Sequence, residues 1–464
     1  MTSSTLSQAQ RSDIEHIIHP FSLPTALAQS GPLVIERGQG CYIFDENSRR
    51  YLEAMSGLWC ISLGFSQPRL VEAARRQLEK LPFYHLFGAR SHPAAIELAQ
   101  ELVKIAPNGL SHVLFASSGS EANDSAVKLA WYYNNALGRP RKTKIIARKQ
   151  SYHGVTVASG SLTGQDRLHH GFNLPLREVF HTDFPSYYHS ALEGESRHQF
   201  TRRLLDDLES LIIRQDPRTI AAFIAEPVIT GAGVIPPPAG YFQGVAEILK
   251  KYEILFIVDE VVTGFGRTGA MFGSELYNLK PDMLSLAKSL TSAYQPLSAL
   301  MVSDDVYRTI KQQGKDLGGF FHGTTYSAHP VAAAVALETL AIYRDEKIVE
   351  RVKTLAPIFQ KHLEALNDHP IVGETRCVGL LGAVELAADK AKRRSYPSEL
   401  KVPAYVQAKA LELGLVVRAA YNAVALCPPL IISREQIEEI FILLKEALDC
   451  AWAHFSPESL GRNV

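Results

Sequence analysis

An aspartate and a lysine carry the first chemical signal in this chain. Asp259 closes the apolar run 254–258, and Lys288 closes a second run, 283–287. Continuous apolar runs of this length, bounded by turn residues, fit strands buried on both faces. In open α/β sheets, ligands sit at the carboxyl ends of such strands. A carboxylate and an amine facing one crevice are what pyridoxal phosphate requires: the lysine forms an imine with the aldehyde, and the aspartate keeps the ring nitrogen protonated. An ordinary ion pair at two strand ends is the competing reading. The loop between them suggests another ligand. Gly264, Gly266 and Gly269 spell G-x-G-x-x-G, a dinucleotide fingerprint when a strand runs in and a helix runs out. Gly273 and Pro281 interrupt the segment after the motif and no amphipathic helix opens at Gly269, so dinucleotide binding is set aside.

Other strand patterns end the same way. The alternation of strand-like and helix-like segments from about 110 to 300 predicts a mostly parallel sheet. The run 113–115 leads into Ser117, Ser118, Gly119 and Ser120, then a helix from Glu121 to about Ala136. Free amides and the dipole at such a helix start suit a phosphate, although a plain serine cap uses the same residues. The run 144–147 leads to Tyr152 and His153, which could stack on a planar ring or simply pack together. The run 220–225 ends in Glu226. Tyr152 with His153, Glu226, Asp259 and Lys288 therefore follow four strand patterns at one topological edge, which a single site explains better than four coincidences. Thr324 and Thr325, beside Gly323, could supply further phosphate donors.

The elements that must position these groups come from the rest of the chain. Residues 1–30 form a polar arm with a short helix, and 33–38 and 41–45 are strands around a glycine turn. Segment 54–66 is a glycine-containing loop that carries Trp59, either a core residue or a pocket wall. Segments 68–81 and 93–106 have helical spacing, with Ile96, Ala99, Leu102 and Ala106 sharing one face of the second. Residues 164–200 show no readable pattern. Helices are expected over 204–214 and 240–252, and a long one starts at 331. Beyond it, 378–386 and 414–418 read as strands and 404–413 as a helix stopped by Gly414. The last helix opens on a capping box, Ser433 to Gln436, and runs to about His454. Arg418 ends the run 415–417. It would suit bidentate capture of a carboxylate, although a surface arginine is the plainer reading of that residue alone. With no repeat or low-complexity linker, the expected organisation is an arm and part of a small domain at 1–60, a large cofactor-binding domain at 61–330, and the remaining small domain at 331–464.

Composition narrows the function classes. Lysine plus arginine equals aspartate plus glutamate at 48 each, which gives no electrostatic case for nucleic acid or anionic membrane. The apolar runs are too short to span a bilayer, and the first residues lack the hydrophobic core of a signal peptide. Five cysteines, an odd number without C-x-x-C pairs, suggest free thiols of a reducing compartment, the cytoplasm. No metal site is expected.

Together these residues resemble the class III aminotransferases of fold type I, and within them the amine:pyruvate (ω-) transaminases. The resemblance rests on GLW at 57–59, LPFYH at 81–85, SSGSEAND at 117–124, YHG at 152–154, EP at 226–227, VDEVVTGFGRTG at 258–269, PDMLSLAK at 281–288, HGTTYSAHP at 322–330 and VRAAYNAVALCPPL at 417–430. It spans nearly the whole chain. It implies an α/β fold with a mostly parallel central sheet in a large domain, plus a smaller α+β domain built from both chain ends. It implies pyridoxal 5'-phosphate as cofactor, with Lys288 as the imine-forming catalytic residue. Ser118, Gly119 and Ser120 would hold the phosphate, joined by Thr325 and Thr324 of the neighbouring subunit. Tyr152 would stack on the ring beside His153, Val261 would pack on its other face, Asp259 would pair with the ring nitrogen, and Glu226 would support them. Leu58, Trp59, Tyr152 and Arg418 would contact substrate. The family's homodimer, or a dimer of such dimers, builds each site from both subunits. The reaction implied is ping-pong transfer of an amino group from a primary amine or ω-amino compound to a keto acid, pyruvate giving alanine. A 4-aminobutyrate, β-alanine or diamine transaminase using 2-oxoglutarate is the alternative. A cofactor-binding regulator would need a basic DNA-binding segment, and none precedes residue 30. The chain departs from the family at Ser289 and Ala328, where glycine is usual, and at Tyr421 and Asn422; these positions bear on substrate range rather than on the reaction.

Overall fold

The structure is a computed structural model that describes residues 6–107 and 109–456. Its central sheet has seven strands in the spatial order Leu110–Ala116, Ser298–Ser303, Met283–Leu286, Leu255–Asp259, Ile220–Ala225, Lys144–Arg148 and Val179–Thr182. Pairing is parallel from Met283–Leu286 through to Val179–Thr182. Ser298–Ser303 runs antiparallel to both of its neighbours. Apart from Ser285 and the terminal Asp259, the strands Ile220–Ala225, Leu255–Asp259 and Met283–Leu286 are apolar because both faces are covered. Phe223, Ala225, Phe256, Val258, Leu284 and Leu286 enter one core, while Ala222, Ile224, Leu255, Ile257 and Met283 enter the other. This is the two-residue alternation of a pleated strand, hidden from sequence view because neither face is polar.

Two smaller sheets flank this one. Ile35–Gln39, Tyr42–Asp45 and Arg50–Glu53 pair with Leu415–Val416, so strands from both chain ends share a sheet. The other joins Val372–Val378, Leu381–Leu386, Ala423–Leu426 and Arg418–Ala420 in that order. Among the described residues no helix is long and apolar enough to cross a membrane.

Several expectations need correction. The unreadable stretch 164–200 contains the edge strand Val179–Thr182, whose half-buried residues give no alternation, and the start of a helix, Arg197–Arg214. That helix opens on a Ser196–Gln199 capping box, earlier than its apolar spacing suggests. Helix Pro93–Ile105 buries Ala94, Ala95, Leu98 and Leu102, while Ile96 is 49% exposed. Segment 378–386 is not one strand; it is the second half of a hairpin that turns at Gly379 and Leu380. Segment 414–418 divides between sheets. Leu415–Val416 lies parallel to Arg50–Glu53, and Arg418 opens the next strand against Ala423–Leu426. Arg418 thus begins a strand rather than closing one, and its placement depends on a pairing between two smaller sheets' worth of chain that the run 415–417 does not reveal.

Candidate active site

The strands that end in Arg148, Ala225, Asp259 and Leu286 are adjacent and parallel, so the residues just past them meet on one edge. Of the site residues expected from the sequence, all but Thr324 and Thr325 line one cavity of about 620 Å³. Asp259 and Lys288 are not an ion pair, which removes the competing reading of these two residues. Asp259 is 3% exposed and held by three groups: its Oδ2 accepts from Asn123 Nδ2 and lies against His153 Nδ1, each at 2.8 Å, and its Oδ1 accepts from Val261 N at 3.0 Å. These bonds fix the carboxylate in the cavity wall. Lys288 Nζ has no hydrogen-bond or carboxylate partner among the described residues. Burial is the main influence holding its amine below the usual lysine range, with the Arg418 charge acting in the same direction and Cys60 and Asp259 opposing. Lys288 also adopts φ 48°, in the left-handed region that side chains beyond glycine rarely take.

Glu226 does a structural task that sequence spacing could not show. It accepts from buried Arg148 Nη2 at 3.1 Å and from the Tyr152 amide at 3.1 Å, tying two strand ends together. It lies 3.8 Å from His153 Nε2, a buried nitrogen without a hydrogen-bond partner. Beyond Asp259, buried Glu260 accepts from the Gly273 and Ser274 amides and from Thr263 Oγ1, which pins the glycine loop as a connection between strands. Arg267 of that loop is fully buried and donates to Pro428 O and to Ser56 Oγ. Ser56 in turn donates to Cys427 O at 2.7 Å. Arg267 thereby anchors the turn bearing Leu58 and Trp59, a role invisible in its loop motif. Trp59 is only 6% exposed and has φ 64°; it is a buried wall, while Leu58 is 55% exposed.

The residues fit pyridoxal phosphate. The helix Gly119–Ala136 starts at the cavity, with Ser118 as its cap accepting from the Glu121 amide. Ser118 is thus the cap of the plainer reading, and the Gly119 and Ser120 amides at the helix start would suit an anion. The backbone at Gly119 is closely packed, since a Cβ there would meet the Val261 methyls at 3.1 Å. A carboxylate, a free amine, an aromatic ring at Tyr152 and a helix start share one cavity. Thr324 and Thr325 do not line it; Thr324 is engaged with Ser327 and Thr325 is exposed. Asn123, Arg148 and Arg267 are positioning groups that the sequence pattern does not reveal. Only Asn123, one turn into the helix with the serine start, was within reach of sequence reasoning.

Comparison with known proteins agrees with this geometry. The family model described as Aminotransferase class-III matches residues 26–448. A mitochondrial gamma-aminobutyrate transaminase 1 of Oryza sativa subsp. japonica is 49% identical over 433 residues, 93% of this chain and 84% of its own length. A chloroplastic gamma aminobutyrate transaminase 3 of Solanum lycopersicum is also 49% identical, covering 93% of this chain and 83% of its own. The structure of an omega transaminase from Pseudomonas jessenii in complex with PMP superposes with a TM-score of 0.95 at 45% identity, over 96% of this chain and 99% of that one. The chain belongs to the class III aminotransferases and is a pyridoxal-phosphate-dependent transaminase of fold type I.

Proposed function

We propose that the enzyme moves an amino group from a primary amine or ω-amino compound to pyruvate, giving alanine. The observation that carries this reading is an unpaired guanidinium in a cavity with an apolar wall. Arg418 lines the same cavity as Trp59, Val261 and Val262, and its side chain has no acidic partner among the described residues. The apolar wall suits an uncharged amine substituent, and Arg418 suits the carboxylate of a keto acid.

Bound pyridoxal phosphate supplies the electron sink for the bond broken at the substrate carbon. The Gly119 and Ser120 amides would hold its phosphate, and Tyr152 and Val261, which line the same cavity, would pack against its ring. Asp259, oriented by Asn123 and His153, would pair with the ring nitrogen. Lys288 Nζ, made less basic by burial, takes up the proton leaving the substrate carbon and later returns one. Stoichiometric alanine from pyruvate across an amine panel tests the reading. Arg418→Ala should abolish use of pyruvate while sparing reaction of the enzyme with an apolar amine. An undiminished pyruvate half-reaction would remove Arg418 from this role.

A second reading, a 4-aminobutyrate-type donor with 2-oxoglutarate as acceptor, is supported by the gamma-aminobutyrate transaminases among the relatives. Glutamate formed in place of alanine would establish it. We also propose a homodimer with shared sites. Phe83, Tyr84, Phe87, Phe321 and Tyr326 are exposed, and Phe83 meets Tyr326 edge-on at 5.7 Å, beside Thr324 and Thr325. Burial of this apolar patch by a second copy would bring those threonines towards the partner's cavity. The cytoplasm is the proposed compartment, since all five thiols are free.

A further inference from the structure

The smaller sheet that carries Arg418 is tied down at its far edge. In that sheet Arg376 pairs with Ala383, Ala383 with Ala425, and Ala425 with Arg418. Residues directly opposite on antiparallel strands share a face, so these four form one row across the sheet. The two arginines stand at its ends, three strand spacings or about 14 Å apart. Between them Ala383 and Ala425 are fully buried and pack in one cluster with Val228, Val234 and Trp59. This face therefore lies against the turn that follows Ile220–Ala225. The turn is braced: Ile229 and Ile235 exchange backbone hydrogen bonds at 3.0 and 2.8 Å, and the Gly233 amide donates to Thr230 O at 3.1 Å. Thr230 and Gly231 line the active-site cavity with Arg418, and a Cβ at Gly231 would meet the Tyr152 Cβ at 3.2 Å.

Arg376 joins the sheet to the turn. It is buried, and its Nε and Nη2 donate to Gly233 O at 3.0 and 2.8 Å. Nη2 also reaches Glu385 Oε2 at 2.6 Å, and Nη1 reaches Glu374 Oε2 at 2.9 Å. Glu385 is completely buried, and its other oxygen lies 2.9 Å from His189 Nε2. Burial pushes the Glu385 carboxyl up, but the His189 bond and the Arg376 charge outweigh it and hold the group below its usual range. A planar guanidinium serves a carbonyl and two carboxylates at once, a fork that an ammonium cannot match. The backbone approaches the sheet closely here: Gly233 has φ +96°, and a Cβ on it would come within 2.9 Å of Ala423 Cβ and 3.1 Å of Arg376 Nη2. We propose that Arg376 is a positioning residue for the keto acid: by fixing the smaller sheet to turn 229–235, it sets where Arg418 stands relative to Tyr152 and Lys288. This rests on the proposed pairing of Arg418 with the carboxylate of pyruvate.

The test uses the holoenzyme in its pyridoxamine phosphate form, reacted with pyruvate and with butanal, an acceptor without a carboxylate. In Arg376→Gln the ratio of kcat/KM for pyruvate over butanal should fall about tenfold, carried mainly by KM. Arg376→Lys should recover part of it. In an Arg418→Ala background, Arg376→Gln should leave the ratio unaltered. Calorimetric titration with oxamate, which carries the carboxylate but accepts no amino group, should show a similar loss of affinity in Arg376→Gln. Gly233→Ala disturbs the same docking without stripping Glu385 of its guanidinium; it should lower the ratio in the same direction, and it decides the matter where Arg376→Gln does not fold. Phe359→Leu alters packing at Gly382, on the opposite face of the sheet, and should lower stability while leaving the ratio intact. An unchanged ratio, an equal loss with both acceptors, an equal fall without Arg418, a fall in Phe359→Leu, or an unchanged oxamate affinity overturns the proposal and leaves the pyruvate reading standing. A wild-type enzyme that does not react with pyruvate overturns the two together.

Discussion

Asn123→Ala isolates the support of Asp259 from Asp259 itself. Asn123 is 1% exposed, and its Nδ2 donates at 2.8 Å to both Asp259 Oδ2 and His153 O. Alanine keeps the helix and removes both bonds. The bond to the carboxylate is worth about 1.5–3 kcal/mol and the one to the neutral carbonyl about 1 kcal/mol, so the apoenzyme should lose about 2–4 kcal/mol against chemical unfolding. The part belonging to Asp259 also enters cofactor affinity, because a carboxylate with one fixed donor fewer is less well held for the ring nitrogen. The dissociation constant of pyridoxal phosphate, read from quenching of protein fluorescence, should rise about tenfold. Stability lost with unchanged cofactor affinity would refute the reasoning, since it would confine Asn123 to the folding of the helix.

Glu53 offers a pH-dependent test. Burial pushes its carboxyl from 4.5 up to about 7, against a bond from the Met55 amide at 2.7 Å at the turn that leads to Trp59. A carboxyl raised in the folded state binds a proton that the unfolded state releases, so its stabilising contribution is present below about 4.5 and lost as pH rises to about 7. Glu53→Gln keeps an acceptor and removes the titration; its stability relative to wild type should rise by about 1–3 kcal/mol between pH 4.5 and 8 in denaturant melts, and a flat difference would count against a buried carboxyl. Gly154 has φ +136°, and a Cβ there would come within 2.3 Å of Ser159 Oγ and 2.5 Å of Ser120 Oγ. Gly154→Ala should cost about 1–3 kcal/mol and weaken phosphate binding through Ser120, checked by melting temperature and inorganic phosphate titration. Lys288→Ala should lower turnover by at least about 10² with partial rescue by added methylamine; undiminished turnover would place the proton transfer elsewhere.

The elements most legible in the sequence were those with one strong pattern. Runs 220–225 and 254–258 read as buried strands because nothing polar interrupts them, and the residue ending each was visible for the same reason. Val179–Thr182 was not legible, because an edge strand with half-buried Phe180 and His181 has neither alternation nor an apolar run. Trp59 was visible as a residue but not as a buried wall. That depends on Arg267 reaching from the glycine loop to Ser56, a contact between distant segments.

By itself, the sequence determined which groups could do chemistry: a lysine, an aspartate and a helix start whose types suit one cofactor, on a fold whose strand–helix alternation fixes a parallel sheet. The tertiary structure decided what holds them and what they face. It separated Asp259 from Lys288 by giving the carboxylate to Asn123 and His153. It moved Arg418 to the start of a strand in another sheet and set Arg167 beside the same cavity. Residue type is local and shows in any reading of the chain. The company a charge keeps depends on pairings between segments far apart, and only the folded chain makes those.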